Sequence, residues 1–280
     1  MCLMRYAKYQ GLGNDYLVMD STELENPLTP SQVKRICDRH YGVGSDGIIL
    51  RQPNKAKGLF SIHIFNPDGS WVEKSGNGLR IFSRYLWDRG EVTDAPFKVQ
   101  TPGGTVTCRV LDEGRLVTVD MGQAVFDSAR IPVAGPAGEI LKEPLEIEGQ
   151  RLEISVVSMG NPHCVVHRDE VSEAEARKLG PLVETHPLFP NRTNVQFMQV
   201  VDREHIRIEI WERGAGYTLA SGTSSCAVSA VAHRLGLCGS KVTVHMPGGQ
   251  LHIEIGQEYE MRMTGPVGKV CQGEVGEEVL

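Results

Sequence analysis

The chain lacks the features that mark membrane proteins and nucleic-acid-binding proteins. It has no apolar run long enough to cross a bilayer, and residues 1–8 lack the apolar core of a signal peptide. It has no block of lysine and arginine, and its formal net charge is −6 at pH 7. We therefore expect neither a membrane nor a nucleic acid among its partners.

Cysteine is scarce and is not arranged in pairs. The seven cysteines are Cys2, Cys37, Cys108, Cys164, Cys226, Cys238 and Cys271. Their odd number and the absence of a C-x-x-C pair argue against a disulfide framework and a zinc site, and favour a reducing, cytoplasmic location. The sequence also has no motif for pyridoxal phosphate or a metal, so we expect no cofactor and no metal.

A usable nucleotide fingerprint is missing too, although residues 42–47 match the pattern G-x-G-x-x-G. Dinucleotide-binding sites of this kind need a strand before the glycines and a helix after them. Here a predicted helix, capped by Thr29 or Ser31 and ending near His40, comes first, and the apolar residues 48–50 follow. We therefore predict a structural turn from helix to strand.

What the chain does contain is ordinary globular composition and two unusual turns. Of its 280 residues 40% are hydrophobic and 23% charged, which suits one large or two medium domains. Ser75-Gly76 and Ser221-Gly222 each lie in a small polar turn that leads into an apolar helical pattern. A helix N-terminus built this way can hold an anion. Taken alone, each serine is more typical of a helix cap.

The second half of the chain repeats the motifs of the first half in the same order. Asn14 and Asn161 are 147 residues apart, Ser75 and Ser221 are 146 apart, and the Pro-Gly-Gly turns at Pro102 and Pro247 are 145 apart. Common turn chemistry explains any one match but does not preserve the spacing of all three. We infer an internal duplication.

The duplication predicts an α+β protein of two pseudo-symmetric domains, each a β-sheet wrapped around one central helix. The predicted domains are residues 1–121 with 267–280, and residues 122–266. The Gly- and Pro-rich residues 122–138 are the expected crossing between them. We expect the two Ser-Gly turns to face each other across a cleft that forms the active site.

Several motifs together resemble the diaminopimelate epimerase family. They are residues 11–15, 37–40, 65–70, 75–78, 160–163, 212–214 and 221–223, with Asn194. They cover nearly the whole chain in the family's order. The resemblance implies a cofactor-independent isomerase that converts LL- to meso-diaminopimelate, a small amino-acid substrate, for lysine and peptidoglycan synthesis. It also implies a possible homodimer, and a last strand near residues 263–271 that returns to the first domain.

The chain departs from this family at the two positions that matter most. The family has catalytic cysteines where this chain has Ser75 and Ser221, one thiolate removing the α-proton and the opposing thiol delivering a proton. A free thiol has a pKa near ~8.5. A serine hydroxyl is a far weaker acid and needs an adjacent base to act. Tyr217 also stands where the family usually has glutamate.

Three explanations of the serine pair stay open at the level of sequence. The chain catalyses the family's reaction, or a related one, with serine and a nearby base; it binds the amino acid without turnover; or both residues were replaced deliberately to trap substrate. The alternatives to the epimerase are thus a catalytically silent amino-acid-binding homologue and a racemase or eliminase for another amino acid.

The resemblance assigns roles to further residues. His163 and Glu212 join Ser75 and Ser221 as catalytic candidates, and Arg213 suits a substrate carboxylate. The binding candidates are Asn14, Asn66, Gly76, Asn77, Asn161, Asn194, Glu212, Arg213, Gly222 and Thr223. The structural alternatives are a buried loop histidine, a surface ion pair and ordinary turn asparagines. Cys226 lies on the far side of its helix from Ser221 and is predicted to be core.

Overall fold

The structure, a computed structural model, describes residues 4–54, 56 and 58–279. Cys2 and the first part of the segment tested for a signal peptide lie outside these residues. The chain divides into two compact units, one ending at Val119 and resuming at Gly265, the other spanning Asp120–Thr264. The predicted divisions after residues 121 and 266 lie two residues from these positions. No described helix is long and apolar enough to span a bilayer.

The first unit opens with a hairpin and encloses its second helix. Its elements are β1 (Met4–Gly11), β2 (Asn14–Asp20), α1 (Pro30–Cys37), β3 (Ile48–Gln52), β4 (Leu59–Phe65), β5 (Trp71–Val72), α2 (Gly76–Asp88), β6 (Phe97–Thr101), β7 (Gly104–Leu111) and β8 (Leu116–Gln123). Strand β8 continues into the second unit.

The second unit repeats this order after one added strand. Its elements are β9 (Glu143–Ile147), β10 (Gln150–Ser158), β11 (Pro162–His167), α3 (Glu173–Glu184), β12 (Asn194–Val200), β13 (His205–Glu212), β14 (Gly216–Thr218), α4 (Gly222–Arg234), β15 (Lys241–Met246), β16 (Gly249–Ile255) and β17 (Glu260–Pro266). The final strand, β18 (Gly268–Val275), returns to the first unit and pairs antiparallel with β1.

The two units share their strand pairing as well as their element order. In the first unit β2 pairs parallel with β3, and β4 with β6. In the second unit β11 pairs parallel with β12, and β13 with β15. The remaining neighbours are antiparallel hairpins such as β6–β7 and β15–β16. This repeated mixture of pairings is the predicted α+β class.

The central helices are α2 and α4, and most of their residues are buried. A helix buried around most of its circumference needs apolar or small residues on every side, and α4 meets this need with alanine, serine and valine. The hydroxyl of Ser83 on α2 donates to the Leu79 carbonyl at 2.7 Å, which lets a polar residue sit inside the core.

Each unit has a second helix besides the predicted central one, α1 in the first unit and α3 in the second. Helix α1 was predicted; α3 was not. Ser172 caps α3 by accepting from the Glu175 amide at 3.3 Å, and Ala176, Leu179 and Val183 bury one face at helical spacing. The capping residue and the apolar spacing were both visible in the sequence.

The predicted crossing at residues 122–138 also differs from the structure. The boundary lies within β8, and these residues fold onto the second unit. Val125 and Ser158 exchange two backbone hydrogen bonds, at 2.9 and 2.8 Å. The glycines and prolines of this segment form bends within the unit and do not make a free linker.

Candidate active site

Ser75 and Ser221 occupy the same place in their respective units. Each has extended backbone angles and caps the central helix that starts at the next residue. The Ser75 Oγ accepts from the Gly78 amide at 3.0 Å, and the Ser221 Oγ accepts from the Ser224 amide at 3.4 Å. Both serines are therefore genuine helix caps, and any chemistry they perform is additional to that role.

The Pro-Gly-Gly turns support these caps in the same way in both units. The Gly103 amide donates to the Glu73 carbonyl at 2.9 Å, and the Gly248 amide donates to the Leu219 carbonyl at 2.8 Å. Each accepting carbonyl lies two residues before a capping serine. A Cβ at Gly103 would lie 3.1 Å from the Glu73 oxygen, so a side chain there would crowd the segment that leads to Ser75.

Backbone amides frame each serine on its helical side. Gly76 and Asn77 form the first turn of α2, and Gly222 and Thr223 form the first turn of α4. First-turn amides have no acceptor within their own helix and lie at the positive end of its dipole. The arrangement suits a carboxylate, as predicted from the Ser-Gly turns. The Thr223 hydroxyl is 3.5 Å from the Ser221 Oγ.

Ser221 has a carboxylate close to it. Glu212 is the last residue of β13, nine residues before Ser221. Burial raises the pKa of the Glu212 carboxyl, and the Ser221 side chain opposes that rise. Ser221 itself is buried. A carboxylate near a buried hydroxyl is a group that can take the hydroxyl proton.

The loop that carries Glu212 is held by Glu184, a residue that the sequence reasoning missed. The buried Glu184 carboxylate accepts from the Gly214 amide at 3.0 Å, from the Trp211 indole at 2.7 Å and from Arg192 at 3.2 Å. Gly180, one turn earlier on α3, lets the Trp211 ring approach, since a Cβ there would lie 2.6 Å from it. No local motif marks Glu184, because its partners are 8 to 30 residues away in sequence.

Asn194 joins two loops of the second unit. Its amide nitrogen donates to the Pro162 carbonyl at 2.9 Å, and its amide oxygen accepts from the Arg213 backbone amide at 3.0 Å. The Arg213 guanidinium donates to the Asn191 carbonyl at 3.2 Å and is otherwise exposed. Asn194 is therefore occupied in positioning the backbone, and Arg213 is available to an anionic ligand.

His163 is a fully buried residue whose side chain bonds Asn161. Its Nε2 lies 3.0 Å from the Asn161 side-chain oxygen, an acceptor, so this nitrogen carries the proton. Burial lowers the pKa of His163 to about 3; the Gln196 side chain opposes the shift and the charge of Arg213 adds to it. The Gln196 amide lies 3.0 Å from the Ser224 hydroxyl and so joins β12 to α4. The neutral imidazole orients Asn161.

In the first unit, two predicted binding residues contact each other. The Asn77 amide donates to the Asn14 oxygen at 3.1 Å, and the Asn14 amide donates to Asp46 at 2.9 Å. Arg39 bridges Asp46 and Asp15 at 2.8 and 2.6 Å. Residues 42–47 thus form a turn between α1 and β3 whose aspartate orients Asn14. This function of the glycine-rich turn was not predicted.

Asn66 is the predicted site residue that none of these networks includes. Its amide donates to the Ser70 hydroxyl at 2.9 Å, inside a turn closed by the Gly69 amide and the Asn66 carbonyl at 3.0 Å. Asn66 lies nine residues before Ser75, as Glu212 lies nine before Ser221. In the part of the chain that the structure describes, no carboxylate or imidazole is hydrogen-bonded to Ser75.

Two further residues of interest lie in supporting roles. The Tyr217 hydroxyl donates to Glu209 at 2.7 Å, and the Arg177 guanidinium lies 4.2 Å from its ring centre. Tyr217 therefore has a structural contact on β14, and within the described part of the chain its hydroxyl bonds Glu209 and not Ser221. Cys226 is fully buried in α4, as predicted. Across the described ranges, no group of three or more His, Cys, Asp or Glu is placed to hold a metal ion.

Comparison with known proteins identifies close relatives in sequence. The model of the family described as diaminopimelate epimerase matches residues 6–126 and 155–270. "Diaminopimelate epimerase 2" of Nostoc sp. is 52% identical over 277 residues, covering 99% of this chain and 97% of the relative. The diaminopimelate epimerase of Pelotomaculum thermopropionicum is 44% identical, covering 97% and 98%.

Solved structures of more distant proteins share the fold. A hydroxyproline epimerase from Agrobacterium vitis superposes with a TM-score of 0.73 at 15% identity, covering 99% of this chain and 93% of that one. A methylitaconate-delta-isomerase superposes with a TM-score of 0.65 at 12% identity, covering 100% and 98%. At these identities the likeness concerns the fold alone.

Proposed function

The chain belongs to the diaminopimelate epimerase family, and from this premise we propose that it is an isomerase that interconverts LL- and meso-diaminopimelate. The reaction removes the proton from one α-carbon and returns a proton to the opposite face, without pyridoxal phosphate. The observation that carries the proposal is Ser221, which caps the N-terminus of α4, with the Glu212 carboxylate close enough for the serine to lower its pKa. The carboxylate supplies a base at a position where the family performs proton transfer.

The helix ends suit the demands of this chemistry. Removing an α-proton leaves a carbanion whose charge spreads onto the substrate α-carboxylate. The first-turn amides at Gly76, Asn77, Gly222 and Thr223 are donors suited to that developing charge. A preorganised set of donors costs no rearrangement when the charge forms, which is the usual source of such stabilisation.

Recognition of the substrate's other end rests on the asparagine loops and Arg213. Diaminopimelate has a second ammonium and carboxylate group at the far end of its chain. Asn14 and Asn161 are held in fixed orientations by Asp46 and His163, so each can present its amide or its backbone without a large entropy cost. The exposed Arg213 guanidinium suits a carboxylate. Asn66 and Asn194 complete the proposed set.

A second candidate is a protein that binds diaminopimelate without turning it over. The observation that favours it is the environment of Ser75, whose Oγ accepts a cap bond from Gly78. A hydroxyl without a base is a poor acid at neutral pH. This candidate uses the same binding residues and differs from the first in having no proton transfer.

We also propose a cytoplasmic homodimer. The location is supported by the cysteines: all six that the structure describes are free, and only Cys271 among them is exposed. The homodimer is supported by the family resemblance. Light scattering behind size exclusion gives a mass near 61.6 kDa if the dimer is correct, twice the chain mass of 30.8 kDa, and near 30.8 kDa if the chain is monomeric.

Calorimetry and chiral chromatography together test the proposed function. We expect LL-diaminopimelate to bind, and L-lysine, which lacks the second carboxylate, to bind at least tenfold more weakly. Chiral chromatography of the mixture should then detect the meso isomer. Binding without the meso isomer would favour the silent binding protein, and failure of diaminopimelate to bind would overturn the substrate assignment.

A further inference from the structure

Trp71 on β5 and Tyr217 on β14 occupy the same position in the two units. Trp71 lies opposite Phe65 of β4, and Tyr217 lies opposite Trp211 of β13, so the strand registers of the two copies agree. Phe65 packs in one core cluster with residues of α1, and Trp211 packs in another with residues of α3. In both copies a pair of aromatic residues therefore lies on the sheet face that carries the second helix.

In the second unit this aromatic pair is covered by helix α3. A Cβ at Gly180 would lie 2.6 Å from Trp211, and the Arg177 guanidinium lies 4.2 Å from the centre of the Tyr217 ring. A guanidinium at that distance over an aromatic face is attracted by the negative potential of the ring. The second unit thus supplies a cation to its aromatic ring from within its own fold.

In the first unit the matching ring is open. Helix α1 has 8 residues where α3 has 12, and Trp71 is 57% exposed. The Trp71 ring contacts the rings of Phe65 and His63, at centroid distances of 4.4 and 4.7 Å. Among the residues that the structure describes, no arginine or lysine lies over Trp71. The place that Arg177 takes in the second unit is therefore accessible from outside.

A pocket with a volume of about 350 Å³ lies beside this open ring, between β3, β4, β5 and residues 21–28. Its apolar lining consists of Leu24, Pro27, Leu28, Leu50, Phe65 and Trp71. The volume falls within the range of about 300–1,000 Å³ that small-molecule sites span. The pocket therefore suits a small ligand with an apolar part.

The polar groups of the pocket favour a positive charge on that ligand. Glu25 and His63 are the ionisable groups among its described lining residues, and burial lowers the pKa of His63. The imidazole is therefore largely neutral at pH 7, and the lining is negatively charged. The Glu25 carboxylate has no hydrogen bond or ion pair with another described residue. The Gln52 amide nitrogen donates to the Leu50 carbonyl at 3.4 Å, which leaves its oxygen to accept from a ligand.

We propose that this pocket binds a small organic cation, an alkyl guanidinium, whose charged plane lies on the Trp71 ring as the Arg177 guanidinium lies on Tyr217. The alkyl stem contacts the apolar lining, and the guanidinium N–H groups donate to Glu25 and Gln52. Tryptophan is the aromatic residue that attracts a cation most strongly. None of the lining residues belongs to the candidate active site, so the inference does not depend on the proposed function.

The probe for this site is n-butylguanidinium, and the control is n-butylurea, a neutral compound of nearly the same shape. Neither has a carboxylate or an α-amino group, so neither carries the groups that the proposed amino-acid site recognises. Each compound is titrated into the full chain while NMR follows the indole N–H signal of Trp71, assigned as the signal missing from Trp71→Leu. We expect n-butylguanidinium to shift that signal and to bind at least tenfold more tightly than n-butylurea.

Variants assign the binding to the aromatic face and to the carboxylate, with dissociation constants measured by ligand-detected NMR. Trp71→Leu keeps an apolar side chain without a ring and should weaken n-butylguanidinium binding at least tenfold. Trp71→Tyr restores the ring that the second unit has and should bind within about threefold of the parent chain. Glu25→Gln should weaken binding about threefold, because an exposed carboxylate is partly screened by water. Glu113→Gln removes an exposed carboxylate outside the pocket and should change binding less than twofold.

Each outcome decides the inference. Tighter binding of the guanidinium than of the urea, lost in Trp71→Leu and kept in Trp71→Tyr, supports it. Equal binding of the two compounds, or binding that leaves the Trp71 signal unmoved, overturns it. If neither compound binds and Trp71→Leu converts a dimer into a monomer in light scattering, a second copy of the chain covers the pocket and the inference is wrong. The proposed isomerase function is unaffected by all of these results, because diaminopimelate tests it separately.

Discussion

The turn before α2 and the turn before α4 are two copies of one motif, and they agree in backbone far more closely than in chemistry. Both have a serine cap, a following glycine and a glycine amide that holds the preceding strand. The Ser221 copy has Glu212 nine residues before the serine, a carboxylate whose pKa the serine lowers. The Ser75 copy has Asn66, which bonds Ser70 inside its own turn.

The difference teaches that duplication preserves the parts that the fold needs and leaves the reactive parts free to diverge. Caps and glycine turns stabilise each unit regardless of the reaction, because an unmade cap costs about 1 kcal/mol. A carboxylate beside a hydroxyl does not stabilise the fold as a cap does. Burial raises the free energy of its charged form. Its presence in one copy is therefore a sign of function.

The largest expected effect comes from removing each hydroxyl in turn. Ser221→Ala should lower the exchange of the substrate α-proton with D₂O at least a hundredfold, because the hydroxyl beside the Glu212 carboxylate is gone. Ser75→Ala should abolish inversion while that exchange continues. Both variants lose a cap and about 1 kcal/mol of stability, which urea unfolding measures. Equal loss of exchange in the two variants would contradict the unequal roles.

Replacing Ser75 with a cysteine should give the next largest effect. Ser75→Cys supplies an acid with a pKa near ~8.5, further lowered at a helix N-terminus, so we expect inversion to rise at least tenfold. Ser221→Cys alone should raise it less, because Glu212 already serves that hydroxyl. The ratio of inversion to exchange, measured in D₂O for each variant, checks this. A larger gain from Ser221→Cys would show that Glu212 does not serve Ser221.

Weakening the support of Glu212 should have a moderate effect. Glu184→Gln removes a charged acceptor from Gly214, Trp211 and Arg192, so we expect the exchange rate to fall roughly tenfold and stability to fall by about 1–3 kcal/mol. Glu173→Gln on the same helix breaks an exposed ion pair with Arg177 and should change neither by much. An unchanged exchange rate in Glu184→Gln would show that the loop holds its shape without that carboxylate.

A smaller effect is expected on the stability of the chain at acid pH, where the second unit's His163 contributes. Burial lowers the pKa of His163 to about 3, so the unfolded chain binds a proton below its ordinary value of 6.5 and the folded chain does not. The contribution of His163 to stability is therefore complete above pH 6.5 and declines as the pH falls toward 3, by about 1.4 kcal/mol per unit at most.

His163→Gln tests the acid dependence, since glutamine keeps a donor and does not titrate. Urea unfolding at pH 7 and pH 4 should give a smaller loss of stability in the variant than in the parent chain. An identical loss in both would mean that other groups, such as His167, whose pKa burial lowers to about 4, dominate the acid response.

The fold was largely predictable because its signals are local or periodic. The Ser-Gly steps, the Pro-Gly-Gly turns and their nearly constant spacing located α2, α4 and the hairpins, and the duplication followed. Helix α3 was missed although Ser172 and the spacing of Ala176, Leu179 and Val183 were available. The shift from residues 122–138 to β8 shows that glycine and proline content marks bends, whether or not they join two units.

The site was predictable as a set of positions and much less as a set of contacts. Asn194 and His163 were found through the family resemblance. The bond from the Arg213 amide to Asn194 spans 19 residues and depends on the pairing of β12 with β13, whereas His163 bonds Asn161 two residues away. Glu184 had no signal at all, because a glutamate at the end of an amphipathic helix is ordinary. The influence of Ser221 on the pKa of Glu212 likewise required the structure.

The most direct test of the difference between the two serine turns is to exchange Glu212 and Asn66, the residues that lie nine positions before each serine. The double variant Asn66→Glu/Glu212→Asn moves the carboxylate from the Ser221 copy to the Ser75 copy and keeps both serine caps. We predict that the isomer showing exchange with retention in D₂O changes from one of LL- and meso-diaminopimelate to the other. If the same isomer still exchanges fastest in the double variant, the carboxylate does not determine which isomer exchanges, and the account is wrong.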